Sequence, residues 1–594
     1  MREFDLGAGG GCPFSGAGGG GTQQTGKGVS RRSMLAGLAA LPLVGAMGGT
    51  ALAAPKAPKA PPAPTAPARA TRAAHAVGNP RGSDIAVLAG REKEARFGVM
   101  FKRTPAFNPP DELLVELAKR MNDGKAPLSD VKDSDVEFDN LGIPAGYIYF
   151  GQFVDHDMTL DQTPLSQQQQ DPRGMTNYDT PRFDLGSVYG KGPAGSPELY
   201  DPARPGYLLV NQHDGLFDLP RDQYGAAYLG DPRNDENLIV AQLHVVFLRL
   251  HNKLRDEGKN FEQAQQLVRW HYQWLIVHDF LPRIVGQEMV TSLLRRRGTG
   301  RIEFLGSFYK PRDRQRPYMP IEYAGAAYRF GHSMIRAEYE MQDGHTVPIF
   351  GRDGYEDLRG SRPIPHDLWA DWNYFFEIPG MDDPDDRNMS RKIDTQLSLP
   401  LATLPSTVVA PTQGAIVALA ERNLLRGKRL GLPAGQDVAT AMGIKPLTND
   451  ELGLTDGGWK ALGKAPLWYY VLKEAELLGG TRLGPVGGRI VAEVILGLMA
   501  CDLTSYFNVN PSFDPGASYR MGDFILWADA IDPRAREKRE DVEEEETGTE
   551  EPETEEPHVE EPETEEPHVE DETEVQDPAD APNPEAVTPV PGTV

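Results

Sequence analysis

The sequence predicts a mainly α protein with little β-structure, built as one large helical domain between two disordered ends. Three observations carry that prediction. Leu243, Val246, Phe247, Leu250 and Leu254 recur at helical spacing, with polar residues opposite. Alternating strand patterns are scarce in the long central stretch, and no repeat occurs inside it. The composition changes sharply near both termini, which bounds the folded part.

Taken in chain order, the first segment reads as an export signal over residues 1–54. Ser30-Arg31-Arg32-Ser33-Met34-Leu35 is a twin-arginine pattern. An Ala/Gly/Leu-rich apolar stretch and then the small-residue site Ala51-Leu52-Ala53-Ala54 follow it. The stretch is about long enough to span a bilayer, but its glycines and alanine site favour cleavage, hence no stable membrane insertion. The pattern predicts a bacterial protein exported folded, to the periplasm, the cell surface or the medium. A basic patch before an apolar helix is the plain alternative. Residues 55–80, rich in Ala, Pro and Lys, form a linker.

Residues 81–533 have globular composition, and the chain's 39% hydrophobic content allows a true core. Residues 534–594 are an acidic tail in which EPETEEPHVE occurs twice, too poor in apolar residues to order itself. Its histidines, His558 and His568, read as part of a solvated spacer, and the sequence names no partner for it. The net charge of −26 argues against a nucleic-acid partner, although much of the acid lies in that tail. With two cysteines, Cys12 and Cys501, the chain is no disulfide scaffold, and signal cleavage leaves Cys501 alone.

Inside the domain, residues 264–280 and 485–506 are further helical runs, the second with a proline at its start. Residues 151–157 read GQFVDHD. In a helix, Gln152 and His156 share a face, while Asp155 and Asp157 sit about 200° apart. The two acids therefore serve separate sites. The neighbouring apolar residues predict a buried helix, where an acid–histidine–acid run needs partners or metals; an exposed polar helix is the alternative.

This stretch resembles the distal motif of the animal-type haem peroxidases, in the peroxidase–cyclooxygenase superfamily. Three further stretches resemble that family in the same order. They are the run through Arg233 and Glu236 with its following helix, Tyr328-Arg329-Phe330-Gly331-His332, and Arg422-Asn423-Leu424-Leu425-Arg426. The likeness covers roughly residues 90 to 510 and implies a single helical haem-peroxidase domain. His332 is then the proximal ligand of haem b, with Asn423 accepting a hydrogen bond from its imidazole and Arg329 beside it. His156 is the distal acid–base group and Arg233 the charge stabiliser. Gln152 orients peroxide, water or a halide. Hydrogen peroxide is reduced through a ferryl intermediate, which oxidises a halide, thiocyanate, a phenol or tyrosine. Asp155 and Glu236 match positions that form ester links to haem in mammalian members. Asn237 stands where the most oxidising branch has a methionine, so no sulfonium link is expected.

Residues 180–190 resemble the family's calcium loop. Calcium takes six to eight oxygens, and Asp157, Thr180, the Arg182 carbonyl and Asp184 would supply some. The family commonly has serine where Gly186 stands, with Ser187 adjacent, so the loop departs from the pattern. Two other functions stay open. Tyr328 lies near the position of the catalytic tyrosine in fatty-acid dioxygenases and cyclooxygenases. A non-catalytic haem-binding or adhesion protein, working through the tail, is the second.

Overall fold

Burial decides which of the predicted helices frame the site. The computed structural model describes residues 97–530, apart from 123–137, 161–176 and short stretches at 178, 214, 299, 313, 315–316, 352–355, 382–383, 385–386, 407 and 410–413. The export signal, the linker and the acidic tail lie outside the described residues. Those described fall within one unit, Met1–Glu537.

Helix α1 (Asp111–Arg120) opens on two acids and closes on two bases, matching the helix dipole. It packs against α5 (Leu419–Arg429), and Lys428 pairs with Asp111. Helix α2 (Gly146–Met158) carries the GQFVDHD stretch and is buried almost throughout, as its apolar neighbours predicted. Phe153 of α2 stacks on Phe247 of α3 (Leu238–Asp256) at 4.6 Å and 9°. Tyr272 of α4 (Phe261–Leu275) meets both rings edge-on. Such aromatic pairs add about 0.5–1.5 kcal/mol each beyond area burial, and they fix α2 on α3 and α4.

Helix α3 departs from the amphipathic expectation. Residues 238–248 are all buried, polar ones included, and only its last turns face solvent. Gln242 is satisfied there by Leu368 O (3.0 Å) and Ala370 N (2.7 Å). Asn237 caps the helix, accepting from the N–H groups of Ile239 and Val240. The run predicted over 264–280 is α4 followed by a π-helix, Ile276–Phe280, and then the turn Leu281–Val285. Pro282 has no N–H to give and crowds the carbonyl four residues back, which suits a widened turn.

Helix α6 (Leu467–Leu477) and helix α7 (Pro485–Cys501) complete the frame. A Cβ on Gly487 would lie 2.5 Å from Val471, so only glycine lets α7 approach α6 this closely. Glu474 of α6 accepts the N–H groups of Val486 and Gly487 and so caps α7; its burial pushes the carboxyl up to about 7. The helix stops at Cys501, short of the expected 506. Asp502 turns its carboxylate onto the N–H and hydroxyl of Thr504, a local competitor to helix. Cys501 is buried. Strands among the described residues form only two-stranded ladders, such as Asp139–Pro144 with Met389–Arg391. No helix among them is long and apolar enough to cross a membrane.

Candidate active site

A cavity of about 630 Å³ opens between α2 and the 3₁₀ turn Ala327–His332. Gln152 and Asp155, one helical turn apart, form its wall on the α2 side with Ile148 and Gly151. Arg329, Phe330 and His332 form the other, and Phe280 and Ile284 continue the apolar lining. Tyr328 also lines the cavity; its hydroxyl donates to the Gly151 carbonyl (3.1 Å) and ties the two walls together. Its ring stacks on buried Tyr323 at 4.7 Å. Tyr147 donates to Asp279 (2.7 Å), and burial, then the Asp279 charge, hold its phenol well above the ordinary range.

His332 is held by a chain of two residues. Nδ1 of its ring lies 2.8 Å from Nδ2 of Asn423, and Oδ1 of Asn423 accepts from Arg329 Nη1 at 2.8 Å. Arginine only donates. The amide oxygen therefore turns to Arg329, and the amide N–H faces the imidazole. Asn423 was expected to accept from that ring; in this arrangement it donates to it.

His156 is fully buried and does not itself line the cavity. Its Nδ1 lies 2.6 Å from Oδ1 of Asn234. Arg233 comes to the same place from the 3₁₀ turn Pro232–Asp235. Its Nη2 donates to the carbonyls of His156 (3.1 Å) and Thr159 and to Asp231 (2.8 Å). The guanidinium thus holds the end of α2. Glu236 is buried nearby, away from the cavity wall.

Asp157 points to the other side of α2, as the 200° argument required. Its carboxylate accepts from Leu185 N (3.0 Å) and Gly186 N (2.8 Å). Asp184 accepts from Gly186 N as well (3.1 Å) and from the Thr180 hydroxyl (3.1 Å). Both carboxylates thus meet at the Gly186 N–H, with the Thr180 hydroxyl on Asp184. Among the described residues, no group of three or more His, Cys, Asp or Glu side chains is placed to hold a metal ion. Gly230 N–H donates to Ser187 O (2.9 Å), and a Cβ at Gly230 would lie 2.2 Å from Gly186 O. Only glycine lets the 180–190 loop lie against the segment that carries Arg233.

Three participants escaped the sequence reading: Asp231, Asn234 and His244. A signal did exist for the last. His244 and Gln242 are polar interruptions in an otherwise apolar helical run.

Residues 162–453 match the family model for animal haem peroxidase. The likeness is to the animal haem peroxidase family. The matched stretch includes Arg233, His332 and Asn423, while α2 lies just before it. The chain is 22% identical over 312 residues to the chorion peroxidase of Aedes aegypti, covering 48% of this chain and 36% of that one. It is 23% identical over 374 residues to the thyroid peroxidase of Rattus norvegicus, covering 54% and 38%. The match spans little more than a third of each relative. Among solved structures, peroxidase A of Dictyostelium discoideum aligns at a TM-score of 0.48 and 16% identity, over 74% of this chain and 92% of that one. A fatty acid alpha-dioxygenase of Arabidopsis thaliana aligns at 0.46 and 15%, over 75% and 77%. At these TM-scores neither likeness bears on the reaction.

A haem suits this cavity by its own features. The wall is mostly apolar, and it presents an imidazole whose ring plane Asn423 and Arg329 fix. An oriented histidine on an apolar wall is what a haem iron needs from a protein.

Proposed function

We propose that the chain is a haem peroxidase that reduces hydrogen peroxide and oxidises a small donor: a halide, thiocyanate, a phenol or tyrosine. The observation that carries this is His332, fixed through Asn423 to Arg329 on the cavity wall, with α2 and its histidine on the other side. Haem, when bound, supplies the iron that takes peroxide and accepts the oxidising equivalents of O–O cleavage. His332 Nε2 would hold that iron. His156 takes a proton from peroxide and returns it to the departing oxygen, a task suited to an imidazole near neutral pH. Arg233 fixes the helix end that carries His156. Gln152, on the cavity wall, orients peroxide, water or a halide. The deciding experiment is an absorption spectrum of haem-loaded protein with and without peroxide. A haem band that peroxide changes, with turnover of a phenolic or halide donor, supports the reading; haem binding without turnover overturns it in favour of a non-catalytic haem protein. Tyr328 on the cavity wall favours a second reading, a fatty-acid dioxygenase. Oxygenation of a fatty acid without added peroxide would select it.

Asp155 reaches the cavity, so an ester to a haem methyl group can form there in peroxide. With Glu236 as the second position, at most two esters and no sulfonium link are expected, because Asn237, which caps α3, has no sulfur to form one. Acidified-solvent extraction after peroxide treatment checks this. Asp155→Ala should release more haem than wild type and Glu236→Ala less than Asp155→Ala; free extraction of all haem from wild type ends the ester proposal.

Calcium would bind through Asp157, Thr180, the Arg182 carbonyl and Asp184. Because Asp157 neighbours His156, stripping the ion with a chelator should lower peroxidase activity along with thermal stability. Active, chelator-free protein that contains no calcium by elemental analysis removes this site. For localisation, the proposal is bacterial export by the twin-arginine route, with cleavage near residue 54. The N-terminal sequence of the exported protein tests it.

A further inference from the structure

Behind the cavity wall lies a line of three buried side chains from three elements. His156 comes from α2, Asn234 from the 3₁₀ turn Pro232–Asp235, and His244 from α3; none is more than 1% exposed. Nδ1 of His156 is 2.6 Å from Oδ1 of Asn234, and Nδ2 of Asn234 is 2.9 Å from Nδ1 of His244.

An amide has a fixed sense: its oxygen accepts and its nitrogen donates. Burial pushes the His244 imidazole down to about 3, so that ring is neutral and its Nδ1 has a lone pair to offer. The amide nitrogen donates to it. The amide oxygen is left to accept from Nδ1–H of His156. A neutral His156 then carries its proton on Nδ1 and has a bare Nε2. The turn that presents Asn234 is itself fixed: Asp231 accepts from Arg233 N at 2.9 Å, and Arg233 holds the His156 carbonyl.

We infer that Asn234 is a positioning residue that locks His156 in the Nδ1-protonated tautomer, with His244 anchoring the amide that does so. The use made of the bare Nε2, as the acceptor of the peroxide proton, rests on the peroxidase reading; the lock does not. Removing the acceptor leaves a buried N–H unmatched, a state costly enough to drive the ring to another tautomer or rotamer.

The test uses haem-loaded protein in its reduced, carbon monoxide-bound form, which is diamagnetic, with ¹⁵N in the histidine rings. Signals that vanish in His156→Gln belong to His156. Wild type should show a pyrrole-type Nδ1–H and a pyridine-type Nε2. Asn234→Asp keeps the acceptor and should keep that pattern. Asn234→Leu should populate Nε2–H, add a lower-frequency carbon monoxide stretch as an N–H now faces the ligand, and slow the peroxide reaction by roughly 10–100-fold. If Asn234→Leu folds poorly, His244→Leu, which loosens the amide without removing it, should move the same signals in the same direction by less. A wild-type His156 protonated at Nε2, or an Asn234→Leu protein with unchanged ring signals, overturns the lock. Protein that takes up no haem sinks the peroxidase reading alone, since the ring signals are then read in haem-free protein.

Discussion

His156→Ala is expected to keep haem and to react with peroxide about 10²–10⁴-fold more slowly, the usual cost of losing a general acid–base group. Haem should stay because the residues that would hold it, His332 with Asn423 and Arg329, lie across the cavity from α2. The rate should fall because Gln152 and Asp155 line the cavity on the same wall but cannot stand in: Gln152 does not titrate, and a carboxylate is a far weaker base than imidazole. Stability should drop as well, by about 1–3 kcal/mol, because Asn234 Oδ1 loses its buried donor. Stopped-flow mixing with peroxide gives the rate and the haem band gives retention. An unchanged rate removes His156 from the mechanism.

The largest expected effect belongs to His332→Ala: loss or gross displacement of the haem band. Iron binding at Nε2 has a cost visible in the structure. Nδ1 of His332 now faces an amide N–H, so the neutral ring carries its proton on Nε2. Loading with haem must move that proton to Nδ1 and turn the Asn423 oxygen toward it. An amide oxygen has two lone pairs, so it can still serve Arg329. Asn423→Asp, which accepts at both ends, should load haem without that rearrangement, and Asn423→Leu should lose about 10–100-fold in haem affinity or activity. A wild-type haem spectrum in His332→Ala places the proximal ligand elsewhere.

What could be read from sequence was local. The α3 repeat at Leu243, Val246, Phe247, Leu250 and Leu254 shows in a single window, and all five residues are buried. The opposed directions of Asp155 and Asp157 follow from helical pitch alone. What could not be read was any contact that spans elements. Asn234 and His156 are 78 residues apart, and nothing in either stretch names the other. The same limit hid the fate of Arg233. Its type suggested a charge aimed at the cavity, whereas its guanidinium bonds Asp231 and the carbonyls of His156 and Thr159. Helix ends failed for a subtler reason: Asp502 looks like any surface acid until its bonds to Thr504 are seen.

The π-turn at Ile276–Phe280 carries a consequence for chain length. Such a turn holds one residue more than an α-helical turn of the same rise. Phe280 closes that turn and Ile284 follows it, and both line the cavity. Deleting one residue between positions 276 and 280 would restore regular pitch and swing everything downstream by about 100° around the axis. Asp279, which gathers Tyr147, Arg283 and the Met521 N–H, would leave its partners at the same stroke. In this segment, then, an indel of one residue is a larger event than most substitutions, and relatives with a differently shaped cavity are to be sought among those whose helix differs here by a single position.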